Sequence, residues 1–360
     1  MSMNLKIIIN YILTQLLYTF MILTVNDIHY QQKIGERKKM VSKATYKKMG
    51  IFFMTLILLL SLSACVGKDG GNEESSNTDS SKSYTVKHAM GTTKVKSHKR
   101  VVVLTNEGTE AVLAMGIKPV GAVKSWEGDP WYNHIKDKMK GVKVVGEESN
   151  VNLEAIMALK PDLIIGNKMR QEKIYGQLSK IAPTVFSEDL RGNWKDNFKL
   201  YAKALNKEKE GQKVLDDFDN RVKSIKEKAG DKLNTKVSLV RFMPGIARIY
   251  YKNTFSGVIF DQLGFARPKV QDNDGFADDV TRERIPDMDG DIMFYFTYEP
   301  GDGKGTKMEK EWTNDPLWKN LSVVKKGNAH RVDDAVWNTA GGVIAANLML
   351  DDIENYFHIK

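Results

Sequence analysis

The stretch from Trp194 to Ala229 limits what this chain of 360 residues can become. It contains no proline, and Gly211 is its one glycine. Apolar residues recur at Phe198, Tyr201, Leu205, Val214, Phe218, Val222 and Ile225, with charges between them. That spacing lays an apolar stripe along a helix. Even with a break near Asn206, no other helical stretch in the sequence is as long, and it divides the folding part of the chain near its middle.

Strand and helix signals alternate on both sides of it. Arg100–Leu104 is a short β-branched run, and helical spacing from Glu107 to Met115 follows, ending at Gly116. Pro119–Val123 and Leu163–Ile165 read as strands, with Leu153–Leu159 as a helix between them. Beyond the long helix, Lys236–Arg241, Arg248–Tyr251 and Ile292–Tyr298 read as strands. Val258–Leu263 and Val343–Phe357 read as helices. This alternation predicts an α/β fold with largely parallel sheets. The expected arrangement is two lobes joined by one helix: an N-terminal lobe over 84–193, a linking helix over 194–230 and a C-terminal lobe over 231–360.

The N-terminal region reads as an address. Lys43, Lys47 and Lys48 precede an apolar run from Ile51 to Leu62. That run falls short of the about 20 residues needed to span a bilayer but suits a secretory signal. It ends in Leu62-Ser63-Ala64-Cys65, which resembles the lipobox of bacterial lipoproteins. Residues 40–64 are therefore expected to be a signal peptide and Cys65 the lipidated residue, since more than one acyl chain on one residue gives stable anchoring. Residues 65–83 are nearly devoid of apolar side chains and read as a flexible tether. Residues 1–39 are expected to be a translated upstream extension, with Met40 as the native start. The mature chain is then held at the outer face of the cytoplasmic membrane, in a Gram-positive bacterium.

Charge and cysteine content remove several function classes. The formal net charge is +9, but residues 1–65 carry eight Lys/Arg against two Asp/Glu and the remainder 46 against 43. A nearly balanced body without a basic block argues against nucleic-acid binding. The single cysteine, Cys65, allows no internal disulfide and no cysteine-based metal cluster. No GxSxG, Walker A or HExxH pattern occurs. The histidines after Cys65 (His88, His98, His134, His330 and His358) show no i, i+4 pairing, which disfavours a direct zinc or manganese site. No metal ligand is assigned.

Several ordered segments carry a resemblance. Asn152-Leu153-Glu154-Ala155-Ile156, followed by Leu159-Lys160-Pro161-Asp162-Leu163-Ile164-Ile165, is similar to a characteristic segment of iron-siderophore substrate-binding lipoproteins of bacterial ABC importers. Lys99–Val102, Gly116–Gly121, Leu178–Thr184, Trp318–Leu321 and Trp337–Gly342 match in the same order, over about 84–360. The resemblance implies the helical-backbone (class III) periplasmic-binding-protein-like fold, two lobes with a shallow cleft between them. A single helix cannot hinge as freely as several crossing strands. It also implies a monomeric receptor, not an enzyme, that hands a ferric siderophore to an ABC permease and its ATPase. The siderophore type favoured is citrate-hydroxamate. Iron(III) would be bound only through the siderophore, with no cofactor of the protein's own.

Arginine forks suit carboxylate and hydroxamate oxygens, and aromatic rings suit the apolar part of such a ligand. Candidate ligand-binding residues follow from the strand-to-loop junctions where the family places its pocket. Arg170 follows the Leu163–Gly166 strand. Arg241 and Arg248 flank the Met243–Ala247 loop, though either is equally readable as the partner of a structural carboxylate. Trp126 follows the Gly121–Val123 strand. Trp337 and Asn338 open the last motif; a tryptophan there is a core plug or a cleft wall, and the resemblance favours the wall. Phe255 and Tyr298 are further candidates on segments where aromatics are more often core. One carboxylate per lobe is expected to dock the permease, Glu154 in the first lobe and Glu283 in the second. A haem or cobalamin receptor of the same fold is the alternative within binders, and an exported hydrolase the alternative outside them.

Overall fold

The structure, a computed structural model, describes residues 83–359. The signal segment, Cys65 and the upstream extension lie outside the described residues.

A hairpin of β1 (Tyr84–His88) and β2 (Gly91–Val95) precedes the first lobe. The lobe's sheet has six strands in the order β6-β5-β4-β3-β7-β8. They are β3 (Val101–Val103), β4 (Gly121–Lys124), β5 (Lys143–Glu147), β6 (Asn150–Val151), β7 (Leu163–Asn167) and β8 (Thr184–Ser187). Only β6 runs antiparallel to its neighbour. The central strands β3 and β7 are buried along their whole length. Parallel strands covered on both faces must be apolar throughout, which is why these segments read as continuous runs. Helix α1 (Asn106–Ala114) leaves β3 through Thr105, whose Oγ1 accepts the Gly108 amide at 3.0 Å. Helices α2 (Leu153–Ala158), α3 (Lys168–Gln171) and α4 (Tyr175–Ile181) complete the lobe.

The second lobe has five strands in the order β11-β10-β9-β12-β13. They are β9 (Val237–Met243), β10 (Ile246–Tyr250), β11 (Ala277–Val280), β12 (Ile292–Thr297) and β13 (Ala329–Arg331). Here β9, β12 and β13 are parallel, while β10 and β11 form an antiparallel edge.

Between the lobes the helical stretch is two helices. α5 (Trp194–Ala204) ends before Asn206, whose φ of 52° no helix interior accommodates. α6 (Glu208–Ala229) has 22 residues, which gives a rod of about 33 Å. α5 packs on α1, and α6 packs on α7 (Phe255–Leu263) and on α11 (Val343–Tyr356). Counting to α11, the intervening helices are α8 (Lys304–Thr313), α9 (Pro316–Asn320) and α10 (Ser322–Lys325).

One apolar core runs through both lobes along these helices. It joins Val101, Val103 and Val112 of the first lobe to Phe218 and Ile225 of α6 and to Phe260, Phe294 and Met349 of the second. Polar contacts reinforce the join. The buried Glu110 carboxylate accepts the Ala345 amide of α11 at 2.8 Å and meets His134 Nε2 at 2.5 Å. Gly342 lies so near α1 that a Cβ there would stand 2.6 Å from the Glu110 Cβ. Two lobes sharing a core on one side can part only on the other.

Candidate functional site

That other side holds a cleft of about 200 Å³, at the ends of the strands where α/β sheets place their ligands. From the first lobe it is lined by Glu107, Trp126, Glu148, Arg170, Leu190 and Arg191. From the second come Arg241, Phe255, Phe276, Tyr298 and the Asn338–Gly341 segment.

Three arginines face this space with different freedom. Arg241 is buried, and its fork is bidentate to Asp334, with Nε to Oδ1 at 2.6 Å and Nη2 to Oδ2 at 2.9 Å. Its Nη1 donates to the Tyr250 hydroxyl at 3.1 Å, and the Tyr298 ring lies 5.4 Å away. Burial works against the Arg241 charge, but Asp334 and Tyr250 more than offset it, and the guanidinium pKa is raised. Arg170 gives one nitrogen to Glu148 at 3.2 Å and lies over the Trp126 ring at 5.7 Å. Arg191 crosses the cleft to stand 5.6 Å from the Phe276 ring. It has no carboxylate within ion-pair distance among the described residues.

Two carboxyls sit among them. Burial pushes the Glu107 carboxyl well above its usual range, against hydrogen bonds from Asn197 at 3.2 Å and Tyr201 at 3.1 Å. Burial thus disfavours the charged form of Glu107. With Glu148 matched to Arg170 and Asp334 to Arg241, Arg191 is the lining arginine left open to an anion among the described residues.

The lobes touch at the cleft rim. Trp126 meets Tyr298 edge to face with centroids 6.3 Å apart. The Glu299 amide donates to Glu127 Oε1 at 3.0 Å, and burial pushes the Glu127 carboxyl up to about 7. On the far side the Gly192 amide donates to Asn253 Oδ1 at 3.3 Å.

Of the residues expected from sequence, Arg170, Arg241, Trp126, Asn338, Phe255 and Tyr298 are brought together here. Phe255 is also core, its ring against Trp194. Trp337 is not a cleft wall. It has no exposed surface, its ring is 4.6 Å from Phe294, and its Nε1 donates to Asp352 at 2.8 Å. The π-helical turn Ala335–Thr339 sends Trp337 inward while its neighbour Asn338 lines the cleft. Arg248 does not line it either: it stands opposite Arg241 across β9–β10, but its fork pairs with Asp279, directly opposite on β11. Glu154, in the first turn of α2 behind its Asn152 cap, and Glu283, in the 3₁₀ segment Arg282–Met288, are both exposed, one on each lobe. The Thr281 side chain holds the Glu283 carboxyl below its usual value. Sequence reasoning missed Arg191, Phe276, Glu148 and the cleft position of Glu107. Arg191 follows β8 as Arg170 follows β7, so the same junction rule would have found it.

Among the described residues, no group of three or more His, Cys, Asp or Glu is placed to hold a metal ion. No described helix is long and apolar enough to cross a membrane.

Two α/β lobes bridged by helices, with a charged and aromatic cleft between them, define a substrate-binding protein of the class III periplasmic-binding-protein fold, not an enzyme. The chain belongs to the periplasmic binding protein family, whose model matches residues 101–335. It is 57% identical over 324 residues to the probable siderophore-binding lipoprotein YfiY of Bacillus subtilis, covering 86% of this chain and 98% of that one. It is 32% identical to the Fe(3+)-citrate-binding protein YfmC of the same organism, covering 86% and 97%. Among solved structures it is similar to Staphylococcus aureus SirA complexed with staphyloferrin B, with a TM-score of 0.71 and 39% identity, covering 77% of this chain and 99% of that one.

Proposed function

We propose that this chain captures a ferric siderophore outside the cytoplasmic membrane and delivers it to an ABC permease, with citrate-hydroxamate complexes as the preferred ligands. The observation that carries the reading is the cleft itself: two arginines with donors to spare, one of them without a carboxylate partner among the described residues, and aromatic faces from both lobes. An iron complex already wrapped in oxygen donors asks for anion recognition and apolar contact, not for a protein ligand to the metal. The relatives named for siderophore and ferric-citrate binding support the same assignment.

Size fits a ligand that reaches past the cleft. Pockets for small molecules commonly hold roughly 300–1,000 Å³. The cleft of about 200 Å³ adjoins an open depression of about 660 Å³, and Arg170 and Arg191 line both. Capture then parts the Trp126–Tyr298 and Glu127–Glu299 contacts without disturbing the shared core. The receptor acts as a monomer tethered through lipid on Cys65, and Glu154 and Glu283 meet the permease, which works with its ATPase. Iron(III) enters only inside the siderophore.

Tryptophan fluorescence titrated with citrate-hydroxamate, citrate, trihydroxamate and catecholate complexes, with haem and cobalamin as controls, tests the assignment. Saturable quenching by ferric citrate-hydroxamates, diminished in Trp126→Phe, is expected. A response to haem or cobalamin alone would overturn the ligand while leaving the fold.

A further inference from the structure

We infer that Glu148 is a positioning residue for ligand capture, holding Arg170 by one nitrogen so that both terminal nitrogens stay free at the cleft. The inference rests on the reading of the cleft as a siderophore site. Glu148 is only 4% exposed, and it lies behind the arginine it holds. Its Oε2 accepts both the backbone amide and Nδ2 of Asn106, each at 3.0 Å, which anchors the carboxylate to the first residue of α1. Its Oε1 then accepts Arg170 Nε at 3.2 Å. The main chain is tied as well. Gln171, buried beside Arg170 in sequence, donates to the Glu148 carbonyl at 2.7 Å and to the Leu104 carbonyl at 3.1 Å. Both partners of the contact are thus fixed to the same buried network.

An arginine carries five N–H donors in a planar fork. Glu148 uses one of them, the Trp126 face supports the plane, and neither Nη1 nor Nη2 bonds to a described residue. Arg241 across the cleft is the contrast, since Asp334 and Tyr250 already engage all three of its nitrogens. The same residue type is therefore a strut in one lobe and an open fork in the other. A half-exposed arginine without such a partner would lose its rotamer freedom on capture, and a fork fixed beforehand avoids that cost. The negative charge of Glu148 weakens the attraction of an anion, and pre-orientation outweighs it.

The test is a double-mutant cycle on the full chain, read by calorimetric titration with ferric aerobactin, a citrate-hydroxamate complex. Glu148→Asp keeps the charge and withdraws the oxygen. It should weaken binding about tenfold alone, but by less than about twofold in an Arg170→Ala background, because residues acting as a unit are not additive. Equal losses in both backgrounds would overturn the inference. Arg170→Lys keeps the charge but cannot bond Glu148 and present a fork, so it should bind as poorly as Arg170→Ala; wild-type affinity would also overturn it. A ligand-free readout separates failure of the inference from failure of the ligand assignment. In ¹⁵N spectra of the free chain the Arg170 Nε–H should be protected from exchange, and Glu148→Asp should abolish that protection. An unprotected Nε–H in the wild type refutes the positioning role whatever the cleft binds.

Discussion

Replacing Glu127 by Gln should stabilise the protein above neutral pH and flatten the dependence of its stability on pH. Glu127 stands at the rim where the lobes meet, its Oε1 taking the Glu299 amide at 3.0 Å. Burial pushes its carboxyl from the ordinary 4.5 to about 7, opposed by that amide and abetted by Asp334 and Asp333. A raised acid binds its proton more tightly in the folded than in the unfolded chain, so the folded state is favoured at low pH. The contribution is fully present below about 4.5 and is lost as pH rises through about 7. Because the carboxyl is partly open to solvent, the shift must be discounted for screening, which leaves about 1–2 kcal/mol. Gln keeps the oxygen that accepts the Glu299 amide and cannot ionise. Urea unfolding at pH 5 and pH 8 should show the wild type losing about 1–2 kcal/mol more than Glu127→Gln between the two. Identical losses would refute the placement of an ionisable carboxyl in this interface.

Asp334→Asn leaves the Arg241 guanidinium buried without its counter-charge, so urea unfolding should register a loss of about 3–5 kcal/mol. Trp337→Ala should cost about 3–5 kcal/mol in the same assay, yet the folded fraction should bind ligand as before; Trp126→Ala should do the reverse, weakening ligand binding with little loss of stability. Arg248→Ala should change ligand affinity by less than about twofold, since its half-exposed pair with Asp279 lies outside the cleft. Charge reversal at Glu154 and Glu283 should leave ligand titrations unchanged while abolishing iron uptake by cells.

The elements legible in the sequence are those whose burial makes them mainly apolar. β3, β7 and β12 are apolar up to their last residue because both faces of their sheets are covered, and β9, interrupted only by Ser238 and Arg241, stands out with them. The hairpin of β1 and β2 did not, because its Thr and Lys residues alternate at a half-exposed surface and form no run. The site divides similarly. Arg170 and Tyr298 follow long, evident strands, whereas Arg191 follows β8, four residues that carry little signal of their own. Glu148 and Glu107 acquire their positions only when β5 and α1 meet at the cleft, a long-range event that local pattern does not encode. Trp337 was misplaced by a different cause: a π-helical turn changes which of two adjacent residues points inward, and nothing in the Trp337–Gly342 segment announces it.

The most direct test of the central claim is equilibrium dialysis of the full chain against a citrate-hydroxamate siderophore loaded with radioactive iron. One ferric complex bound per chain is expected, displaced by unlabelled ferric complex and not by haem or cobalamin, and retained more weakly by Arg170→Ala. Failure to retain any ferric siderophore, or retention unaffected by Arg170→Ala, would contradict it.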